Sequence, residues 1–276
     1  KHLHAMKLPL VTLVLCLASS VSVAQGPKPA AIGNKAKTYP GQWNQWRGPD
    51  RSGHVIQANW PKRLNTTNFK RTWRLPAGPS YSGPIVSDRL VYTTATEGSK
   101  NEVVTAVDRT SGEVIWKTDW AGSMKVPFFA SRNGSWIRST PVFDGESLFV
   151  AGMRDVLVSL NAKTGEEQWR VDFVKRFESN QESFGFVCSP MVDEDSVYVQ
   201  TCAGVVKLDK KTGETRWLAL KDKGGMYGGA FSSPIRANLS GQDQLLIQSR
   251  TTLNGLEPAS GDVLWSVKVK TSRGMN

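Results

Sequence analysis

The side chains available for covalent chemistry in this 276-residue sequence are few in kind. It holds three histidines (His2, His4, His54) and three cysteines (Cys16, Cys188, Cys202). His54 alone among the histidines lies beyond the first few residues, so a Ser-His-Asp triad or a His-rich zinc site has no parts to draw on, and no CxxC pair occurs. What remains is recognition by cations and rings. Arg132, Trp136, Arg138, Arg154, Arg176 and Arg250 stand in irregular stretches between apolar runs, and guanidinium groups beside an indole suit an acidic group or a sugar ring. Trp136 and Arg138 equally suit packing and pairing within the fold. Glu178, Glu182 and Asp222 are scattered through the same stretches and read as surface acids. No catalytic residue, cofactor-binding residue or metal ligand is assigned.

The elements that must position this set declare themselves by repetition. Four segments end in tryptophan on one pattern: Ala106–Trp116, Ser159–Trp169, Lys207–Trp217 and Gly255–Trp265. Each has an acid or amide at its third place (Asp108, Asn161, Asp209, Glu257), a hydroxyl before glycine, and a tryptophan four residues after that glycine. The tryptophans Trp116, Trp169, Trp217 and Trp265 recur at spacings of 53, 48 and 48. Upstream in each unit lies a second recurring piece, around Pro84, Pro141, Pro190 and Pro234, followed by a polar turn and an alternating or β-branched run. Each unit therefore holds four short strands, and no helical period is evident beyond the first residues. Four strands in about 48 residues make one propeller blade. The fold class is an all-β propeller of four-stranded antiparallel blades. The glycine answers a turn that needs positive φ, the acid or amide accepts turn amide protons, and the tryptophan fills the wedge between diverging blades, a structural role.

The pattern A-x-D-x-x-T-G-x-x-x-W resembles the tryptophan-docking motif of PQQ-like repeats, the family that includes quinoprotein dehydrogenases and the BamB-like scaffold of outer-membrane assembly. The opening Trp43-Asn44-Gln45-Trp46-Arg47-Gly48-Pro49, with Gly53, resembles the start of exported bacterial propellers of that kind. The resemblance covers residues 43–276; at the first motif position only Ala106 matches, while Ser159, Lys207 and Gly255 do not. It implies seven or eight blades, four of them here, so the chain reads as an N-terminal piece of a ring. Residues 271–276 would enter a fifth blade, and Phe69–Leu75, with Trp73 in the tryptophan place, would be the outermost strand of the last.

In a propeller so wound, residues 121–138, 173–187 and 221–231 and the shorter turns 152–155 and 249–254 share one face, where binding residues belong. Cys188 and Cys202 flank the turn at 193–196. A register that sets them opposite permits a disulfide, and one step off leaves two buried thiols.

Residues 1–24 have the layout of a secretory signal peptide: a basic start, the apolar run Leu8–Leu17, and the small-residue pattern Ser22-Val23-Ala24. The segment is too short and too soon interrupted by serines to span a membrane. Residues 25–42 read as a flexible lead into the propeller at 43–276, and the destination is periplasmic or extracellular. The net charge of +11 comes without a basic run, which argues for a solvated surface and against a nucleic-acid groove. The expected function is a binding scaffold whose loop face takes a protein or polysaccharide, without cofactor. The resemblance implies one alternative, a PQQ- and calcium-dependent alcohol or sugar dehydrogenase with part of its site in further blades. Such enzymes hold the quinone over a tryptophan, in many cases under a disulfide of adjacent cysteines, with carboxylates and an amide on the metal. No adjacent cysteines occur here. A further alternative is the sensor or docking domain of a larger protein.

Overall fold

In a computed structural model the described residues are 42–55, 61–226, 228 and 231–270. The expected signal peptide, nearly all of segment 25–42, and residues 271–276 lie outside them. Sixteen strands form four antiparallel sheets. The first blade is β1 (Ile85–Val86), β2 (Leu90–Glu97), β3 (Asn101–Asp108) and β4 (Val114–Ala121). The second is β5 (Val142–Phe143), β6 (Ser147–Gly152), β7 (Val156–Asn161) and β8 (Glu167–Asp172). The third is β9 (Met191–Val192), β10 (Ser196–Thr201), β11 (Gly204–Asp209) and β12 (Thr215–Ala219); the fourth is β13 (Ile235–Leu239), β14 (Gln242–Gln248), β15 (Thr252–Leu256) and β16 (Val263–Lys268). Strand order within every sheet follows the chain, as a meander joined by tight turns requires. A bulge interrupts the third strand's pairing with the fourth at one repeat position, next to Ala106, Ser159, Lys207 and Gly255.

The repeat residues form an interlock between blades. Each indole lies on the turn glycine of the next blade: Trp116 on Gly165, Trp169 on Gly213 and Trp217 on Gly261. Each Nε1–H donates to the carbonyl one residue past the next blade's acid or amide, at 3.0 Å (Ala162), 3.1 Å (Lys210) and 3.2 Å (Pro258). Trp73 sits on Gly112 in the same way and donates to the Arg109 carbonyl at 2.9 Å. It thus takes the place that the tryptophan of a preceding blade would take, although residues 69–75 form no strand. Trp265 instead donates to Gln244 of its own sheet, at 2.6 Å. The turn acids do what their chemistry suits them for. Asp108 Oδ1 accepts the Thr110 and Ser111 amides, and Asn161 and Asp209 repeat the arrangement.

The core is therefore between blades rather than within one. Tyr92, Trp116 and Leu148 pack between the first and second, Phe149, Phe173 and Val199 between the second and third, and Met191, Tyr198 and Leu245 between the third and fourth. The opening motif lies across the innermost strands. Trp43 exchanges two 2.8 Å hydrogen bonds with Val86, and Asn44 pairs with Phe143. Arg51, 2% exposed, donates to Gln45 and to the Ser189 and Pro190 carbonyls. One short segment thus ties the inner edges of three blades together.

Two details complete this picture. The chain has a short α-helix, α1 (Phe173–Phe177), and a 3-10 turn (Phe128–Asn133). Asp172 caps α1 by accepting the Lys175 amide, and five residues are too few to show a helical period. The disulfide is absent: Cys188 and Cys202 are buried free thiols. Met191 faces Tyr198 and Val192 faces Val197, a register whose continuation sets Cys188 opposite Thr201. That single step turns Cys202 to the other face of the sheet. Cys188 Sγ accepts the Gln200 amide at 3.2 Å, and burial pushes its pKa up to about 12, so it is an inert thiol.

Candidate binding face

The three long loops between blades meet on one face and brace one another. Gln181 Nε2 donates to Met124 Sδ at 2.9 Å, joining the first loop to the second. Asn180 bridges to Gly224 in the third, where a side chain is impossible: a Cβ on Gly224 would lie 1.9 Å from the Asn180 carbonyl oxygen. A line of edge-on rings crosses all three, from Phe128 to Phe129 (5.6 Å), Phe184 (6.1 Å) and Phe231 (5.8 Å). The two leading rings are in water, with Phe128 88% and Phe129 61% exposed. Beside them opens a cleft of about 610 Å³ whose lining includes Met124, Lys125, Phe128, Trp136 and Arg154 and no carboxylate.

Of the six residues expected to bind, the structure gathers part. Arg154 Nε donates to the Ser123 carbonyl at 3.0 Å and the side chain stays exposed on the cleft wall; Trp136 forms the opposite wall, 5.3 Å from Tyr81. Arg138 lies 4.9 Å over the other side of this aromatic pair, on Tyr81. Burial lowers its pKa, its Nε has no hydrogen-bond partner, and it is not among the residues that line the cleft. Arg132 is exposed at the end of the 3-10 turn that carries Phe128. Arg176 departs from the set, because its guanidinium reaches outward to Gly213 and Thr215 at the edge of the third blade. Arg250 belongs to the β14–β15 turn of the fourth blade.

Three buried acids beneath this face were not expected. Glu102 is fully buried and accepts the Met153 amide (2.6 Å) and Trp120 Nε1–H (2.8 Å), tying the first blade to the second. Asp155, also fully buried, accepts the Glu182 and Cys202 amides at 2.9 and 3.3 Å, tying the second to the third. Glu182, 7% exposed, is not the surface acid its sequence context suggested. Desolvation raises the pKa of Glu102, lifts Asp155 to about 6, and with Asp155 and Asp222 nearby lifts Glu182 to about 8. A signal existed for the first two: Glu102 and Asp155 each stand fourteen residues before a docking tryptophan, where the later blades have Ala203 and Thr251.

The opposite face has a pocket of about 270 Å³ among Asp193, Tyr198, Lys207, Arg236 and Asp243. Its charges satisfy each other: Arg236 pairs with Asp193 and Asp243, and Tyr198 donates to Asp193. That is a clasp between the third and fourth blades.

The quinone site of the dehydrogenases asks for a carboxylate and amide set and, in many, a disulfide of adjacent cysteines around a planar cofactor. Here the two cysteines are unbonded, the cavity beside the buried acids is about 10 Å³, and among the described residues no three His, Cys, Asp or Glu side chains are grouped to hold a metal. Among the described residues these four blades bring no such set together.

A family model described as outer membrane protein assembly factor BamB matches residues 99–276. Among solved structures, BamB from Moraxella catarrhalis is similar over 70% of this chain and 54% of its own, at 16% identity and a TM-score of 0.51. A europium-containing methanol dehydrogenase is similar over 84% of this chain and 49% of its own, at 16% identity and a TM-score of 0.60. The chain thus spans about half the length of each. A search of curated proteins finds no match. Because the family model covers more than half the sequence and the blades carry its repeat, the chain belongs to the BamB family of PQQ-like repeat propellers.

Proposed function

We propose that the protein is an exported binding scaffold without catalysis of its own, whose loop face receives another protein. The carrying observation is the cleft at Trp136 and Arg154, with Lys125 in its wall and Phe128 and Phe129 standing exposed at its rim. Exposed rings beside cationic side chains are what protein interfaces enrich. The bracing of the three loops lowers the ordering cost of binding. Cations without a carboxylate in the lining favour an acidic partner surface, and an acidic polysaccharide is the outcome to be distinguished. The inner edges of three blades are taken up by the chain's own Trp43–Gly53 segment, which leaves the loop face as the place for a partner. A dehydrogenase draws support from the fold alone.

The test is photo-crosslinking in the producing cell, with a benzoyl-phenylalanine in place of Phe128 or, as control, of Glu146 on the turn face. Protein adducts from position 128 that vanish in the Lys125→Glu, Arg154→Glu double variant are expected. Equal adducts from both positions, or stoichiometric quinone uptake with alcohol-dependent dye reduction, would overturn the reading.

A further inference from the structure

We propose that Asp155 and Glu182, with neutral oxygens of Gln200 and Thr201, form a site for one hard cation of the calcium class at the joint between the second and third blades. This goes beyond the loop-face reading and does not depend on it. The four residues line one cavity of about 10 Å³, room for a single water-sized or smaller occupant. Asp155 is fully buried and Glu182 nearly so, and neither enters an ion pair among the described residues. Buried carboxylates ordinarily are paired or coordinate a metal.

The decisive atom is Glu182 Oε1, which is buried and has no hydrogen-bond partner. Protonating it exchanges an unmet acceptor for an O–H that needs an acceptor of its own. A cation resolves it at once, since it takes oxygen lone pairs and returns nothing that needs an acceptor. Asp155 keeps lone pairs to spare, because each of its oxygens accepts a single amide proton, from Glu182 and Cys202. Thr201 Oγ1 donates to the Gly204 carbonyl and accepts the Ala203 amide, which leaves it one lone pair. Two carboxylates with neutral oxygens are the donor set of a hard, flexible-geometry ion, and magnesium, which gives up water reluctantly, fits a site this dry less well. The cavity has no room for a cofactor beside the ion, which separates this site from a quinone-linked metal.

The role would be a clasp: Glu182 sits on the loop between blades, Asp155 on the β6–β7 turn, and Thr201 at the end of β10. The experiment is equilibrium dialysis of the full chain, stripped with a chelator, against calcium up to about 1 mM, the weak end of protein calcium sites, alongside thermal melts with calcium or magnesium. One calcium per chain, a rise in Tm with calcium that magnesium does not match, and at least tenfold weaker binding in Glu182→Gln are expected. No bound calcium, or binding unchanged in Glu182→Gln, overturns the proposal. Should that variant fail to fold, Glu182→Asp, which keeps the charge and shortens the arm, is expected to show the tenfold loss, and unchanged binding there overturns it equally.

Discussion

Arg216 shows how a single side chain can hold a turn. It pairs with Asp195 and Asp209, both at 2.7 Å, while Asp209 also accepts two amides of its own turn. The Arg216 bond, first among these, lowers the Asp209 pKa to about 2. A carboxylate whose folded pKa lies below its unfolded value of about 3.9 stabilises fully above that value, and its contribution is lost as pH falls toward the folded pKa. Acid unfolding should therefore draw on Asp209 between about pH 4 and pH 2. In Arg216→Met the Asp209 carboxyl, followed by NMR, should titrate measurably higher; an unmoved midpoint would assign the shift to the turn amides alone. At this scale the sequence was legible where a residue answers to its near neighbours. The turn acids and glycines were read correctly because their partners are two to four residues away. Glu102, Asp155 and Glu182 were not, because their burial comes from neighbouring blades some fifty residues distant. The cysteine pair was left open between a disulfide and two thiols, because one step of register decides it and neither cysteine encodes that step.

Among elements, the unit of stability is the contact between one blade's outer strand and the next blade's turn. Gly165 and Gly145 separate the two demands placed on turn glycines. Both have positive φ, +77° and +109°, so alanine at either strains the backbone. Only at Gly165 would the new Cβ also meet an indole, at 2.5 Å from Trp116, whereas at Gly145 nothing lies within 4 Å. Gly165→Ala should cost about 1–3 kcal/mol more than Gly145→Ala, the scale of overpacking a close contact. Urea unfolding of the two variants measures it, and equal losses would mean that the backbone strain is the whole effect. The fold was legible here because the interlock repeats; the long loops between blades do not repeat. Trp136 and Arg154 stood among the candidates by their types and both line the cleft, whereas nothing in the sequence around Phe128 and Phe129 marks the 3-10 turn that sets them in water.

For the molecule as a whole, the N-terminal strap adds what pairwise blade contacts lack, a connection among three blades at once. Its centre is Arg51, which burial lowers to a pKa of about 10 and which still spends its donors on Gln45, Ser189 and Pro190. A lysine offers a point charge instead of a planar fork and cannot span the same acceptors. Arg51→Lys should lose about 2–4 kcal/mol, since it leaves buried carbonyls without donors, and the loss should appear in a cooperative denaturant transition that includes the third blade. A small loss confined to the N-terminal segment, read by limited proteolysis, would show that the strap only rests on the blades.

Trp73 and Trp265 give this array a direction. Trp73 fills the first blade's turn from outside, as a neighbouring blade would, while Trp265 folds back onto Gln244 and the fourth strand of its blade is largely exposed. In a one-dimensional chain of nearest-neighbour couplings, a blade whose docking turn is filled gains one coupling term over a blade whose turn is not. The loop-face cleft, built on the first and second blades, thus rests on two blades whose docking turns are both filled, by Trp73 and Trp116, and should open as one unit with them.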